Sequence, residues 1–238
     1  MSAAWDDPRV RRGLEALFRL RGERLKRGEK PIGWKVAFGA PAIMQRLGIT
    51  APLVGFLTDR AKVENGGTVA VGGWAKPVAE PEIAVHMGAD LASGASREAV
   101  MAAIAGVGPA IELVDLDRAP APEILESIIA GNIFQRNVVV GPVDRARAGA
   151  KLGGLLGRIS RNGAEFAQTS ALTANTGEPV ALVAHVANLL AAFGERLRAG
   201  EFIITGSVVP PFPVEPNDQT IEFELAPVGS ARVRFAAR

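Results

Sequence analysis

The 238-residue chain has no cysteine, no tyrosine and only two histidines. Without thiols there is no disulfide framework, no thiolate zinc site and no cysteine nucleophile, so chemistry rests on carboxylates, lysine, arginine, hydroxyls or the two histidines. A reducing compartment is compatible with this composition. The opening residues MSAAWDDPRVRRG put acids and arginines where a secretory signal needs a continuous apolar region, so a cytoplasmic location is expected. The longest uncharged stretch, Pro179 to Gly194, falls short of the roughly 20 apolar residues of a spanning helix. It also contains His185 and Asn188, and no membrane association is expected.

An excess of either charge is also lacking, with 27 Lys and Arg against 25 Asp and Glu. The one dense basic stretch, Arg9 to Arg27, interleaves Arg11, Arg12, Arg19, Arg21, Arg24 and Lys26 with Val10, Leu14, Leu17, Phe18 and Leu25 at helical spacing. It reads as the solvated face of a packed helix without stacking aromatics, so no nucleic-acid partner is expected. There is no G-x-S-x-G elbow, no phosphate-binding G-x-x-x-x-G-K-[ST] loop and no H-E-x-x-H, and the glycine pairs Gly66-Gly67 and Gly153-Gly154 read as turns. A nucleotide cofactor is therefore not expected. What the chain has in quantity is 48% hydrophobic residues, enough for one dominant core.

Asp7 followed by Pro8 starts the first helix, which should end near Gly28. Apolar runs at Ile32 to Val36, Val54 to Leu57, Thr68 to Val71, Ile83 to Met87 and Ala110 to Val114 read as strands. Short helices are expected at Ala42 to Leu47, at Arg97 to Ile104 behind a Ser96 cap, and after Pro122. Asn162-Gly163 suits the turn of a tight hairpin between Leu155 to Arg161 and Glu165 to Thr169. A longer helix is expected from Pro179 to Arg198, stopped by Gly200, followed by strands at Phe202 to Thr205, Thr220 to Leu225 and Ala231 to Phe235. Strands outnumber helices without regular alternation, which predicts a β-rich α+β fold rather than repeated βαβ units. The chain reads as a single domain, 1–238, with residues 1–30 as a helical N-terminal arm.

Glu80, Pro81 and Glu82 open the segment EPEIAVHM, and residues two apart on an extended chain point to the same face. Two anions side by side repel unless a cation or shared proton lies between them. Pro81 argues for a strand edge or opening. A third acid, Glu112, sits inside the apolar run GPAIELV, where an unpaired carboxylate is costly to bury. Two readings stand at this point. The three acids form a site for a hard divalent ion such as Mg²⁺ or Mn²⁺, or Glu80 and Glu82 are exposed strand residues paired with arginines and Glu112 sits at an edge.

The segments GWKVAF, EPEIAV, PAIELVD and LRAGEFIITGS, in this order and spacing, resemble the 2-keto-4-pentenoate hydratase and 2-oxo-acid decarboxylase group of the fumarylacetoacetate hydrolase superfamily. The resemblance spans nearly the whole chain. It implies a β-rich roll or distorted sandwich of that superfamily's C-terminal-domain type, carrying an N-terminal helix and one long helix in the C-terminal half. It also implies Mg²⁺ or Mn²⁺ bound by Glu80, Glu82 and Glu112, with Lys35 as a catalytic residue near the reacting group, its charge stabilising an anion or relaying protons. Leu47, Leu53, Phe134, Thr205 and Gly206 are the substrate-contacting positions it implies. The implied reaction is that of a lyase on a small 2-oxo acid through an enolate: hydration first, 4-oxalocrotonate-type decarboxylation or acylpyruvate hydrolysis as alternatives, in a homo-oligomer. A diverged paralogue that binds a metal or small acid without turnover is the other class.

The chain departs from the family pattern at four places. Leu53 stands where hydratases of the group carry an aspartate after the proline, and GFLTD at Gly55 to Asp59 is closer to the decarboxylase branch, with Asp59 as a nearby acid. The family's A-D-N-A-S segment reads Ala130-Gly131-Asn132-Ile133-Phe134, so its aspartate and serine are missing and Phe134 is expected to narrow the pocket. G-H-P before the long helix reads Gly177-Glu178-Pro179. His86 shares the strand face of Glu82, where the family has an apolar residue, and His185 is expected to pack within its helix.

Overall fold

The computed structural model describes residues 3–236, so the first two residues of the expected arm and the last two of the chain lie outside the described residues. The helices are α1 (Pro8–Lys26), α2 (Pro41–Leu47), α3 (Arg97–Ala103), α4 (Leu125–Ala130) and α5 (Pro179–Ala192). The strands are β1 (Pro31–Ala37), β2 (Leu53–Thr58), β3 (Lys62–Val63), β4 (Thr68–Val69), β5 (Pro77–Met87), β6 (Ile104–Asp115), β7 (Gln135–Val140), β8 (Leu156–Arg161), β9 (Ala164–Thr169), β10 (Phe202–Ser207), β11 (Phe212–Pro213), β12 (Thr220–Ala226) and β13 (Gly229–Phe235). One mixed sheet runs β2-β1-β10-β5-β6-β7-β3 with β11 added to β5, and a second runs β4-β13-β12-β8-β9. The expected β-rich α+β architecture is present.

The larger sheet is curled. Lys35 on β1 is three strand spacings from β6 and, by register, level with Gly108, four residues short of Glu112. About 19 Å would separate the two backbones across a flat sheet, more than both side chains span, yet the ammonium lies 2.6 Å from the Glu112 carboxylate. The concave face carries a small apolar floor of Leu57, Ala84, Ala110, Val138, Phe202 and Ile204. The main core fills the space between the sheets and the helices.

The local signals explain most elements. Asp7 accepts a hydrogen bond from the Arg9 N–H at 2.8 Å, and Pro8 fits the first turn of α1. Val10, Leu14 and Leu17 bury the apolar stripe of α1 in the main core, and the helix lies against α4. Several of its arginines are ion-paired within the chain, among them Arg9 with Asp7, Arg12 with Glu126 and Arg21 with Glu195. Asn162 and Gly163 both take positive φ between β8 and β9, as a two-residue hairpin of this type requires.

Two expectations are corrected. α5 stops at Ala192, not near Arg198, because Gly194 at φ +76° ends it; Gly200 belongs to a later turn whose N–H donates to the Met87 carbonyl. Pro81 does not mark a sheet edge. β5 lies inside the sheet between β10 and β6, starts at Pro77 rather than Ile83, and carries Glu80 to Glu82 within it. The missing N–H is tolerated because the ladder is broken nearby: Ile204 pairs with Ala84 but Ser207 pairs with Glu82, an extra residue that bulges β10.

Candidate active site

Strand pairing alone brings the three acids together. Glu80 lies directly opposite Glu112 in the β5–β6 ladder, and Glu82 follows on the same face two residues along. One oxygen from each of Glu80, Glu82 and Glu112 falls within 4.8 Å of the others. Glu82 and Glu112 are fully buried, whereas Glu80 keeps an edge on a cavity of about 360 Å³. Like charges directly opposite each other destabilise a sheet, so this ladder is costly without a counter-charge.

Two features of the backbone shape the surroundings of these oxygens. The β10 bulge places Gly206 at φ +95°, a conformation that suits glycine, and aims its N–H at Glu82 Oε2 at 2.5 Å. Across the curl, Asn132, Ile133 and Phe134 hold three successive positive φ values of 62°, 52° and 61°. Such values are uncommon for a β-branched residue and are sustained only where surrounding contacts enforce them. Here Asn132 does so, accepting from the Phe56 N–H at 2.9 Å and donating to the Phe56 carbonyl at 3.0 Å. The turn presents the Ile133 carbonyl to Lys35 Nζ at 3.0 Å. Gly55 makes the fit possible, since a Cβ there would sit 2.7 Å from Asn132 Oδ1 and 2.9 Å from Lys35 Cγ.

Lys35 is therefore held between a carbonyl and the Glu112 carboxylate, with 1% of its surface exposed. The 2.6 Å contact pairs the Lys35 ammonium with Glu112 Oε1, while Glu112 Oε2 and Glu82 Oε1 are buried without a hydrogen-bond partner. Buried carboxylate oxygens left in that state fit a cation between them. Hard oxygen donors without thiolate or imidazole suit Mg²⁺ or Mn²⁺ rather than a softer ion.

Burial pushes the Glu82 carboxyl well above the usual range, and the negative charges of Glu112 and Glu80 add to it. Burial also raises Glu80 against the opposing pull of Lys35. Glu112 rises to about 7 for the same reason, again opposed by Lys35. These folded-state values lie above the unfolded ones, so the folded state holds extra protons, and stability falls as pH rises from about 4.5 through about 7. Asp7, Glu178 and Glu222, held low by their arginine partners and local hydrogen bonds, lose their contribution only at more acid pH. The two buried histidines work the other way, His86 lowered to about 4 and His185 also lowered, so stability is lost at them as pH falls below about 6.5. Melting of the protein freed of divalent ions is therefore expected lower at pH 8.5 than at pH 7, and a flat or rising profile over that window contradicts the buried cluster.

The chain matches the family model described as fumarylacetoacetate (FAA) hydrolase C-terminal over residues 41–236. It belongs to the fumarylacetoacetate hydrolase family. Within that family it is 32% identical over 211 residues to a 2-hydroxyhexa-2,4-dienoate hydratase of Comamonas testosteroni, spanning 87% of this chain and 79% of the relative. It is 32% identical over 217 residues to a 4-oxalocrotonate decarboxylase of Pseudomonas putida, spanning 91% and 81%. The solved 4-oxalocrotonate decarboxylase of Pseudomonas putida G7, complexed with magnesium and adipate, superposes with a TM-score of 0.83 at 31% identity, over 94% of this chain and 85% of that one. The fold implied by the resemblance is that of the fumarylacetoacetate hydrolase C-terminal domain, as found.

Not every residue expected from the family pattern reaches the cavity. Lys35, Glu80, Phe134, Thr205 and Gly206 line it, with Glu82 and Glu112 behind them. Leu47 and Leu53 do not: Leu47 ends α2 fully buried in the main core, and Leu53 begins β2 in the same core. Asp59 is exposed and accepts from the Lys30 N–H at 2.9 Å, away from the cavity. Glu178, where the family has histidine, caps α5 by accepting from the Ala181 N–H and pairs with Arg97 through both oxygens. His86 lies tilted against Phe202 with ring centroids 5.7 Å apart, its pKa lowered to about 4 by burial and the charges of Arg145 and Lys62, and is not in the carboxylate group. His185 packs beside Trp5 and contacts the Pro52 carbonyl at 2.9 Å. Sequence reasoning missed the walls contributed by Phe38 to Ala40, Ile43 and Val209 to Pro211. Ile43 lies in the expected helix α2, and only the glycine and proline content of the other two segments hinted that they were loops.

Among the described residues no helix is long and apolar enough to cross a membrane.

Proposed function

We propose that this chain is a divalent-metal-dependent lyase acting on a small 2-oxo acid, and that its reaction is hydration of a 2-hydroxydienoate. The observation that carries the reading is the group Glu80, Glu82 and Glu112, partly without hydrogen-bond partners, beside Lys35 at the base of an otherwise largely apolar cavity. Glu80, Glu82 and Glu112 are the groups that would hold Mg²⁺ or Mn²⁺. A bound divalent cation supplies a Lewis acid that draws electron density from the carboxylate and keto oxygens of the substrate.

The chain's own residues do the rest. Lys35 places an ammonium among the carboxylates, where it can stabilise an enolate and move a proton at Nζ. The apolar walls exclude bulk water and strengthen these interactions. In the hydration of 2-hydroxypenta-2,4-dienoate, the enol proton is lost and a proton is gained at C5, giving 2-oxopent-3-enoate. Water then adds with oxygen to C4 and hydrogen to C3, giving 4-hydroxy-2-oxopentanoate.

Decarboxylation is the second reading, favoured by the 31% identity and 0.83 TM-score to a solved decarboxylase and by Leu53 at the position of the hydratase aspartate. The discriminating assay incubates the protein with Mg²⁺ or Mn²⁺ and either 2-hydroxypenta-2,4-dienoate or 2-oxohex-3-enedioate, following ultraviolet absorbance and released carbon dioxide. Loss of the dienoate absorbance without carbon dioxide is expected, abolished by chelation and restored by metal. Turnover that chelation leaves undiminished would sink the proposal.

A further inference from the structure

The directions of the strands give the cavity an axis. β1, β10 and β6 run the same way, because β1 is parallel to β10 and both β10 and β6 are antiparallel to β5. Moving outward from the carboxylates, β1 presents Ala37 after Lys35, and β6 presents Val114 after Glu112, with Leu116 just past its end. Each two-residue step advances about 6.6 Å. β5 runs the opposite way, so Glu80 lies outward of Glu82, which agrees with its edge on the cavity.

Beyond that charged base the wall is apolar. Phe38 and Ile43 come from one loop and helix, Leu116 from the end of β6, Phe134 from the left-handed turn, and Val209 and Pro210 from the loop after β10. The polar groups there, including Asn175, Thr176 and Ser207, are uncharged. Among the described residues lining the cavity Lys35 is the one cation, and it is already held by Glu112 and the Ile133 carbonyl.

We infer that the acid bound here carries an uncharged, apolar tail beyond its keto group, and that the cavity selects against a second carboxylate. The inference rests on the proposed 2-oxo-acid chemistry of the base and specifies what the walls accept. The far carboxyl carbon of an extended six-carbon diacid lies about 6 Å from the first. That is one strand step outward of the carboxylates, toward Val114 and Leu116 on β6. An anion there meets no free cation, loses its hydration and lies near Glu80. An alkyl or alkenyl tail instead buries surface at about 0.8 kcal/mol per methylene, roughly fourfold in affinity for each. A cavity of about 360 Å³ leaves room for such a tail.

The test measures calorimetric binding of three unreactive 2-oxo acids to the protein loaded with Mg²⁺. Pyruvate reports the common head group, 2-oxohexanoate adds an apolar tail, and 2-oxoadipate places a carboxylate on a chain of the same length. The expected result is 2-oxohexanoate tighter than pyruvate by tenfold or more, and 2-oxoadipate weaker than 2-oxohexanoate by at least as much. 2-Oxoadipate binding as tightly as 2-oxohexanoate overturns the tail assignment while leaving the base intact. Binding of none of the three, with either Mg²⁺ or Mn²⁺, overturns the base reading and the inference with it. Leu116→Lys is expected to shift the ratio toward 2-oxoadipate by tenfold or more; a folded variant with an unchanged ratio removes Leu116 from the tail and overturns the axis argued here.

Discussion

Glu82→Gln is expected to lower kcat/KM by about 10³-fold or more, on the order of 4 kcal/mol, while raising the melting temperature of the metal-free protein. The two effects share one cause. Glutamine keeps the shape of the side chain and an oxygen to accept the Gly206 N–H, which now reaches Glu82 Oε2 at 2.5 Å, so the bulge in β10 has no reason to move. What disappears is the cost of keeping an acid there, either as a buried anion facing Glu80 and Glu112 or as a carboxyl forced to take up a proton, the cost that drives Glu82 so far up. Relief of that repulsion stabilises the empty fold, whereas loss of one hard donor weakens a divalent ion's hold on the site. Functional sites commonly trade stability for activity in this direction. The check is paired: steady-state kinetics, and melting with and without Mg²⁺ or Mn²⁺. A variant that loses activity yet melts lower and keeps the full metal-induced rise excludes Glu82 as a ligand.

Why the acids were legible in the sequence, and much of their setting was not, follows from how each is specified. E-x-E on an extended segment fixes two side chains to one face by local geometry, and a glutamate inside GPAIELV advertises its own desolvation cost. Neither needs knowledge of the partner strand. The cap at Asp7 and the Asn162-Gly163 turn are equally local, and both lie where expected. The left-handed run Asn132-Ile133-Phe134 was beyond reach because its residue types oppose its conformation. The contacts that enforce it come from Phe56, 76 residues away in sequence. Pro81 misled for a related reason: a broken ladder on the neighbouring strand, not an open edge, accommodates the missing donor. Leu47 and Leu53 show the limit of transferring positions by motif alone. Both sit at element ends beside the cavity-forming segments, but their side chains turn into the main core. The curl of the sheet is likewise a property of pairing between β1, β10, β5 and β6, and it alone turns Lys35 from a strand residue into part of the site.

Lys35→Met is expected to reduce kcat by about 10³-fold, within the 10²–10⁴ range of a lost proton-transfer group, while the metal still binds, more tightly as pH rises. Methionine fills the channel beside Gly55, where the lysine stem packs closely, and so preserves the approach of β1 to β2. The charge is another matter. Lys35 Nζ lies 2.6 Å from Glu112 Oε1 and pulls down the carboxyls of Glu80, Glu82 and Glu112. Without it these acids shift further upward, and breaking a buried pair costs on the order of 3–5 kcal/mol, lessened here because Glu112 can take up a proton. The metal-free variant therefore melts lower at pH 8, with the deficit shrinking toward pH 5.5. A divalent ion no longer competes with a fixed ammonium for the same oxygens but must displace the protons these raised acids hold, so its binding persists and strengthens as pH rises. A purely structural lysine predicts the opposite pairing, with metal binding and turnover falling together in proportion to lost folded protein. Retained metal binding with collapsed kcat separates the two, and it assigns to Lys35 the proton that the carboxylates, occupied by a cation, are no longer free to carry.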